Sequence, residues 1–320
     1  MGSWKFCPPK GWGHQKGGGA WYVFRYGLRL EEMSDQFVDA VHRVLQASLS
    51  PSGYVKVRDC LSVNHFLGEV VNGPRVLNSR SYNFTLFDRP CLTKPWGWQL
   101  TGHQLCMNCF ILGSQQVITP VFMGAEPNYI DHGKWQNMSL FDSQELAGLE
   151  VMKVLPPTLR DEVQIYKTVN DPTIPEWRIH RADQRHLGGA FQDNRVIPYE
   201  GCLVCKFPTK QQDMIRKIAR LSLDYLPQDT LNRKMAEMER HWDETYFCWI
   251  GGWGLRDAFY YKIHSPVVML EFDHHTGVFL SNRDPKPFHI HTTVRTPNGN
   301  DYGKALLRQY QDRTQRLLGD

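Results

Sequence analysis

Hydrophobic positions recur along the chain at two different spacings. Apolar residues that return every three or four positions predict helices over 31–49, 57–71, 143–155, 209–225, 229–241 and 301–317. Alternating or short apolar runs predict strands over 81–87, 96–102, 103–112, 117–123, 245–250, 259–263, 267–272 and 289–295. Helices and strands follow one another in blocks, without strict alternation. This order predicts a single α+β domain with a mostly antiparallel sheet flanked by helices.

Two stretches of the chain lack a regular hydrophobic pattern. The first 25 residues are rich in glycine and proline and predict an extended arm, so that the domain proper spans residues 26–320. Residues 170–200 are polar and contain several prolines and glycines, which predicts a long loop excursion. Excursions of this length are often functional, but a surface insertion has the same composition.

The predicted strand nearest the C-terminus carries two histidines one residue apart. Alternation places His289 and His291 on one face about 7 Å apart, where they can chelate one metal ion if a neighbouring strand adds a ligand. His103 at the start of one strand and Glu271 at the end of another are the candidate further ligands. We therefore predict a divalent metal site of His289, His291, His103 and Glu271.

Ordinary structural roles exist for the same residues. A lone histidine such as His103 is usually a hydrogen-bonded core residue. Glu271 and the nearby Asp273 are either solvated at a strand end or paired with Arg256 or Arg295. The adjacent His274 and His275 are interpreted as loop residues, although they too could be ligands.

The donor set determines which metal and which chemistry to expect. Two histidines and a carboxylate suit iron and oxygen chemistry, whereas three histidines suit zinc or copper. We expect a metal-dependent enzyme acting on a small organic molecule, with an oxidoreductase or oxygenase favoured over a hydrolase. One alternative is a metal-free hydrolase or transferase, in which His103, His289 and His291 act as general acid and base and Glu271 orients them. The other is a non-catalytic small-molecule-binding protein.

Further residues are candidates for contact with a substrate. Trp96, Trp98 and Trp249 are predicted to wall an apolar pocket. Arg295 is predicted to act in catalysis by holding a carboxylate or phosphate. The other candidate substrate-binding residues are Asn108, Asp301 and Tyr302. The turn over 296–303 opens a helix and could bind an anion, or it is a plain turn in which Asn300 or Asp301 caps the helix.

Two Cys-x-x-Cys pairs are poor candidates for a zinc site. Cys106 and Cys109 lie in a predicted strand, where residues three apart point to opposite faces, and Cys202 and Cys205 lie in a similar apolar run. The formal net charge of +4 is too small to predict nucleic-acid binding. No apolar run approaches the ~18 residues of a membrane helix, so a cytoplasmic protein is expected. The alternative is a protein whose targeting signal has been removed.

Several short motifs together resemble the DUF3500 family, whose function is uncharacterised. The matching segments are 95–98 (PWGW), 102–108 (GHQLCMN), 119–125 (TPVFMGA), 249–252 (WIGG), 260–263 (YYKI), 271–273 (EFD), 289–292 (HIHT) and 301–303 (DYG). The resemblance excludes the N-terminal arm and residues 170–200, and it implies no particular reaction. The family commonly has a second histidine after the one matching His103, where this chain has Gln104. Because strand neighbours face opposite ways, we expect this difference not to affect the site, although it counts against any mechanism that needs both histidines.

Overall fold

Helices and strands follow one another in blocks along the chain. The structure is a computed structural model that describes residues 13–14, 21–22, 27–180, 182–189 and 195–318. The helices are α1 (Asp35–Ser48), α2 (Pro51–Val70), α3 (Asp142–Val154), α4 (Pro157–Val163), α5 (Thr209–Ser222), α6 (Gln228–Arg240) and α7 (Lys304–Leu318). The strands are β1 (Gly13–His14), β2 (Trp21–Tyr22), β3 (Leu28–Arg29), β4 (Tyr82–Phe87), β5 (Trp96–Gly102), β6 (Leu105–Leu112), β7 (Gln115–Val117), β8 (Val121–Ala125), β9 (Gln164–Tyr166), β10 (Cys202–Leu203), β11 (Tyr246–Gly251), β12 (Phe259–His264), β13 (Met269–His275) and β14 (Lys286–Arg295).

The central sheet has twelve strands within the described ranges. Its order is β10-β11-β12-β13-β14-β8-β6-β5-β4-β3, with β7 beside β6 and β9 beside β11. Among these described strands only the β9–β11 pair is parallel, so the predicted α+β fold with a mostly antiparallel sheet is confirmed. Strands β1 and β2 pair with each other inside the predicted arm, most of which lies outside the described residues. In the part described, no helix has the length and apolar character needed to cross a bilayer.

Three local predictions were wrong. Ser50 and Pro51 begin α2, where we expected a helix to end, because the Ser50 side chain accepts from Gly53 N at 2.9 Å and proline fits the first helical position. His103 and Gln104 form a two-residue turn between β5 and β6, since Gly102 pairs directly with Leu105. Strand β13 continues through His274 and His275, which were interpreted as loop residues.

One face of the sheet forms the main hydrophobic core. Residues that pair directly across strands share a face, and Trp249 pairs with Tyr261, which pairs with Phe272. Their rings stack, with centroids 5.0 Å apart for Tyr261 and Phe272 and 4.3 Å apart for Trp249 and Phe259. Helices α1, α2, α3 and α5 contribute buried side chains to this core. Gly148 of α3 allows the helix to approach the Tyr261 ring closely.

The opposite face of the same strands is buried and largely polar. One row across the strands pairs Lys262 with Glu271 and Glu271 with Thr293, and the next row pairs Asp273 with His291. Each of these residues except His291 is buried. Because buried charges are stable only when they are paired or hydrogen-bonded, this face requires partners from elsewhere in the chain.

Candidate metal centre

The partners of the polar face come from the predicted excursion. We call residues 178–180 and 182–189 the docking segment. Its Arg178 donates to Glu200 at 2.8 Å, and Lys262 of β12 donates to the other oxygen of Glu200 at 2.6 Å. Arg185 of the segment donates to Asp273 of β13 at 2.7 Å. The docking segment is therefore packed against the sheet and is not a mere surface insertion.

The docking segment places His186 beside Glu271. The Glu271 carboxylate accepts from the backbone N–H groups of Leu187 at 2.7 Å and Gly188 at 2.9 Å, and from the Tyr260 hydroxyl at 2.7 Å. Its Oε2 lies 3.5 Å from His186 Nδ1. Burial acts to raise the pKa of Glu271, but the interactions with His186 and Tyr260 hold that pKa well below its usual range. Burial acts to lower the pKa of His186, but Glu271 raises it overall.

Three histidines from three parts of the chain converge on the polar face. One nitrogen each from His186, His275 and His291 lies within 4.8 Å of the other two, and we call this group the imidazole triad. The rings of His275 and His291 are 3.7 Å apart between centroids. Nε2 of His186 is buried without a hydrogen-bond partner, and Nε2 of His275 has only a contact with Asp273 Oδ2 at 3.2 Å. Burial lowers the pKa of both His275 and His291 well below 6.5, so these rings are neutral and carry lone pairs.

His289 lies next to the triad. Its Nε2 is 3.0 Å from His291 Nε2 and 3.0 Å from the side-chain nitrogen of Gln104, and its Nδ1 is 3.8 Å from Glu126. Burial lowers the pKa of His289 to about 4. The contact with Gln104 contradicts our expectation that this residue would not reach the site. The expectation failed because Gln104 belongs to a turn with φ of 59° and not to a strand.

The other two predicted ligands occupy different positions. His103 Nδ1 is 2.8 Å from the Asn64 side chain, its ring contacts Phe279, and burial lowers its pKa to about 3. Glu271 approaches the triad only through His186. Of the four predicted ligands, the structure thus places His291 in the triad, His289 and Glu271 beside it, and His103 in a separate hydrogen-bonded position.

Arg295 and the predicted substrate-binding residues near it form a turn at the end of β14. Arg295 donates to Asp301 Oδ2 at 2.7 Å and to the carbonyl of Gly188 at 2.8 Å. Asp301 also accepts from Thr296 N at 2.7 Å, so it ties the turn together rather than capping α7. Tyr302 has a φ of 62° and is buried. In this arrangement Arg295 anchors the docking segment to β14.

The remaining predicted substrate-binding residues lie away from the imidazoles. Trp98 and Trp249 are buried on the helix-covered face, where Trp98 donates to Ser48 at 3.0 Å, and Trp96 packs against the same core. Asn108 shares the polar face but bonds to Gln99 and to the carbonyl of Pro120. The sequence predicted the strands of these residues but not which face the helices would cover.

The cysteine pairs form no metal site within the described residues. Cys106 pairs with Phe122 on the polar face, whereas Cys109 pairs with Trp98 on the core face. The opposite orientations agree with the interpretation from the sequence. Cys202 and Cys205 are both free thiols, Cys202 in β10 and Cys205 in the short helical turn that follows it.

The predicted ligand set left out two members of the triad, and one of them, His275, was interpreted as a loop residue that could be a ligand. His275 could have been found, because continuing the alternation of β13 from Glu271 and Asp273 puts His275 on the same face. His186 gave no such signal, because it lies in an irregular segment whose position depends on ion pairs with distant residues.

Comparisons with known proteins identify one family. The model of the family described as "Protein of unknown function (DUF3500)" matches residues 12–304. The match includes the 170–200 excursion, which the motif resemblance left out. No curated protein and no solved structure matches the chain.

Proposed function

The chain belongs to the DUF3500 family, and we propose that it is a metal-dependent enzyme acting on a small organic molecule. The imidazole triad would hold the ion. The observation that carries the proposal is the convergence of three imidazole nitrogens within 4.8 Å on a buried face. Buried polar atoms without partners are rare in folded proteins, and Nε2 of His186 is such an atom.

The spacing and charge of the triad fit a metal ion. An ion with bonds of about 2.1 Å holds its ligand atoms roughly 3 to 4.2 Å apart, so small side-chain rotations would close the triad around it. Neutral rings at His275 and His291 offer lone pairs at neutral pH without first losing a proton. The pKa of His186 is raised by Glu271, so this ring would release a proton when the ion binds.

The donor set favours zinc or copper over iron. Glu271 already accepts three hydrogen bonds, so it is poorly placed to serve as the carboxylate of a site with two histidines and one carboxylate. A bound zinc or copper ion would supply Lewis acidity, and copper would add redox chemistry. Copper would favour an oxidoreductase, whereas zinc, which has no redox chemistry of its own, would favour a hydrolase.

The chain's own residues would orient the ligands and direct the substrate. His186 Nδ1 faces the Thr293 hydroxyl at 3.1 Å and Glu271 at 3.5 Å, which leaves Nε2 for the ion. His291 is the only member of the triad that is not fully buried. Its ring meets the edge of Phe122, with centroids 4.9 Å apart. A substrate would therefore approach from the side of His291 and Phe122.

Metal analysis tests the proposal. Purified protein, before and after incubation with Zn(II) or Cu(II) and desalting, should contain about one ion per chain. His186→Ala, His275→Ala and His291→Ala should each weaken binding more than 100-fold, a larger loss than outer partners of a metal usually cause. The control is His132→Ala, which changes an exposed histidine distant in sequence from all three members of the triad. Equal affinity in all four variants and the wild type would contradict the proposal.

A metal-free acid–base enzyme is the second candidate. It is favoured by the buried pair of His186 and Glu271, in which the carboxylate raises the pKa of the imidazole. A metal-free enzyme would keep full activity after exhaustive treatment with a chelator. It would lose activity in Glu271→Gln without any change in metal content.

A further inference from the structure

We infer that Gln104 holds His289 outside the metal's coordination shell, so that the centre keeps an open position for a substrate. This inference rests on the proposed function, because it concerns the same ion. It assigns to Gln104 a positioning role, and to His289 the role of an outer partner of His291.

The backbone around Gln104 fixes where its side chain goes. Gln104 sits in the two-residue turn between β5 and β6 with φ of 59°, and its carbonyl accepts from Gly124 N at 2.8 Å. The amide then passes over Gly124, where a Cβ would overlap Gln104 Oε1 and lie 2.9 Å from His291. The absence of a side chain at Gly124 therefore allows the amide to reach the imidazoles.

The amide occupies the nitrogen of His289 that could otherwise bind the ion. Gln104 Nε2 donates to His289 Nε2 at 3.0 Å, which uses the lone pair of that nitrogen. Rotating the amide by 180° would place its oxygen there, and His289 Nε2 would then carry a proton. Neither arrangement leaves Nε2 free to bind a metal.

The second nitrogen of His289 cannot replace the first. Nδ1 lies 3.8 Å from the carboxylate of Glu126, which is itself held by the N–H groups of Val278, Phe279 and Leu280. The two nitrogens of an imidazole point in divergent directions, so Nδ1 cannot share an ion with His291 while Nε2 faces it at 3.0 Å.

The number of protein ligands separates two kinds of metal site. Four protein ligands close a site and are typical of structural ions, whereas three leave a position for water or a substrate. With His289 joined to the triad the centre would have four imidazoles. With His289 held by Gln104 it has three, which is the arrangement that catalysis needs.

Counting imidazoles around bound Cu(II) tests the inference. Pulsed electron paramagnetic resonance of the Cu(II)-loaded full chain should detect three coordinated imidazoles in the wild type and in His289→Ala. Gln104→Leu keeps the size of the side chain but removes the amide, so His289 should join the ion, giving four imidazoles and about tenfold tighter binding. The double variant should return to three. Gln99→Leu is the matched control, because it removes a buried amide on the same face that contacts Asn108.

The outcomes that overturn the inference are distinct from those that overturn the proposed function. Four imidazoles in the wild type, or loss of one in His289→Ala, would show that His289 is already a ligand. Three imidazoles in Gln104→Leu would show that the amide does not hold His289 away. The proposed function would stand in both cases. A wild type that binds no Cu(II) and no Zn(II) would overturn the proposed function and this inference with it. If Gln104→Leu fails to fold, His289→Ala still tests whether His289 lies outside the coordination shell, and a loss of one imidazole there overturns the inference.

Discussion

The two faces of the central sheet use the same strands for opposite purposes. On β12 and β13, Tyr261 and Phe272 stack in the helix-covered core, while their neighbours Lys262 and Glu271 face the other way and are equally buried. The core face excludes water by packing apolar side chains against the helices. The polar face excludes water with ion pairs to the docking segment, such as that of Arg185 with Asp273. Replacing a paired buried charge by packed apolar groups is often neutral or stabilising, so the polar face is better explained by the site than by stability.

The largest effect on stability is expected on the core face. Phe272→Ala should lower the free energy of unfolding by about 3–5 kcal/mol, because it leaves a cavity between rings that stack at 5.0 and 5.5 Å. His291→Ala, on the polar face of the adjacent strand, should change it by less than about 1 kcal/mol in metal-free protein. Urea unfolding measures both. Similar losses of unfolding free energy in the two variants would show that the two faces contribute equally to stability.

A smaller loss of stability is expected at Gly124 of β8, where the turn between β5 and β6 packs over this strand. Gly124→Ala should destabilise the fold by about 1–3 kcal/mol, because its Cβ would overlap Gln104 and crowd the carbonyl of Ile290. Gly73→Ala is the control, since its Cβ would only touch Val71 at 3.4 Å. If thermal unfolding shows equal stability for the two variants, the close packing of Gln104 over Gly124 is wrong.

Metal affinity should depend on the carboxylate behind His186. Glu271→Gln should weaken metal binding roughly 10- to 100-fold, because Glu271 orients the ring of His186 and increases its basicity. Isothermal titration with Zn(II) gives the affinity, and Glu69→Gln, at an exposed position, should leave it unchanged. An unchanged affinity in Glu271→Gln would show that this carboxylate does not support metal binding.

Acid should destabilise the polar face through its neutral histidines. Burial lowers the pKa of His103 to about 3 from 6.5, so its contribution to stability is complete above pH 6.5 and is lost as the pH falls toward 3. The unfolded chain takes up the proton that the folded chain excludes, which gives a slope of about 1.4 kcal/mol per pH unit. His103→Gln should flatten the stability curve between pH 6 and 4.5 by that amount. Parallel curves for variant and wild type would show that His103 does not titrate in this way.

The sequence predicted the elements of the fold better than the composition of the site. Alternation located β14 and put His289 beside His291, because period-2 patterns on a strand depend only on local geometry. The same reasoning ended β13 at Phe272, since two consecutive histidines do not extend an apolar run. The faces of Trp98 and Trp249 depend on where the helices pack, which is a property of the whole fold.

Contacts between distant segments account for the remaining errors. His186 reaches the site only because Arg185 and Arg178 pair with Asp273 and Glu200. Gln104 reaches His289 only because the turn changes its direction relative to β6. Neither contact produces a periodic pattern of hydrophobic and polar residues in the sequence.

The separation of His186 and His275 along the chain has a mechanical consequence. An ion bound by both would act as a cross-link that closes a loop of about 90 residues, including β10, β11, β12 and helices α5 and α6. A permanent cross-link over a loop of this length restricts the unfolded chain by roughly 4–5 kcal/mol in the chain-entropy estimate. Loading with metal should therefore make the elements inside this loop open less often, and amide hydrogen exchange in α5 and α6 would report on an ion that neither helix touches.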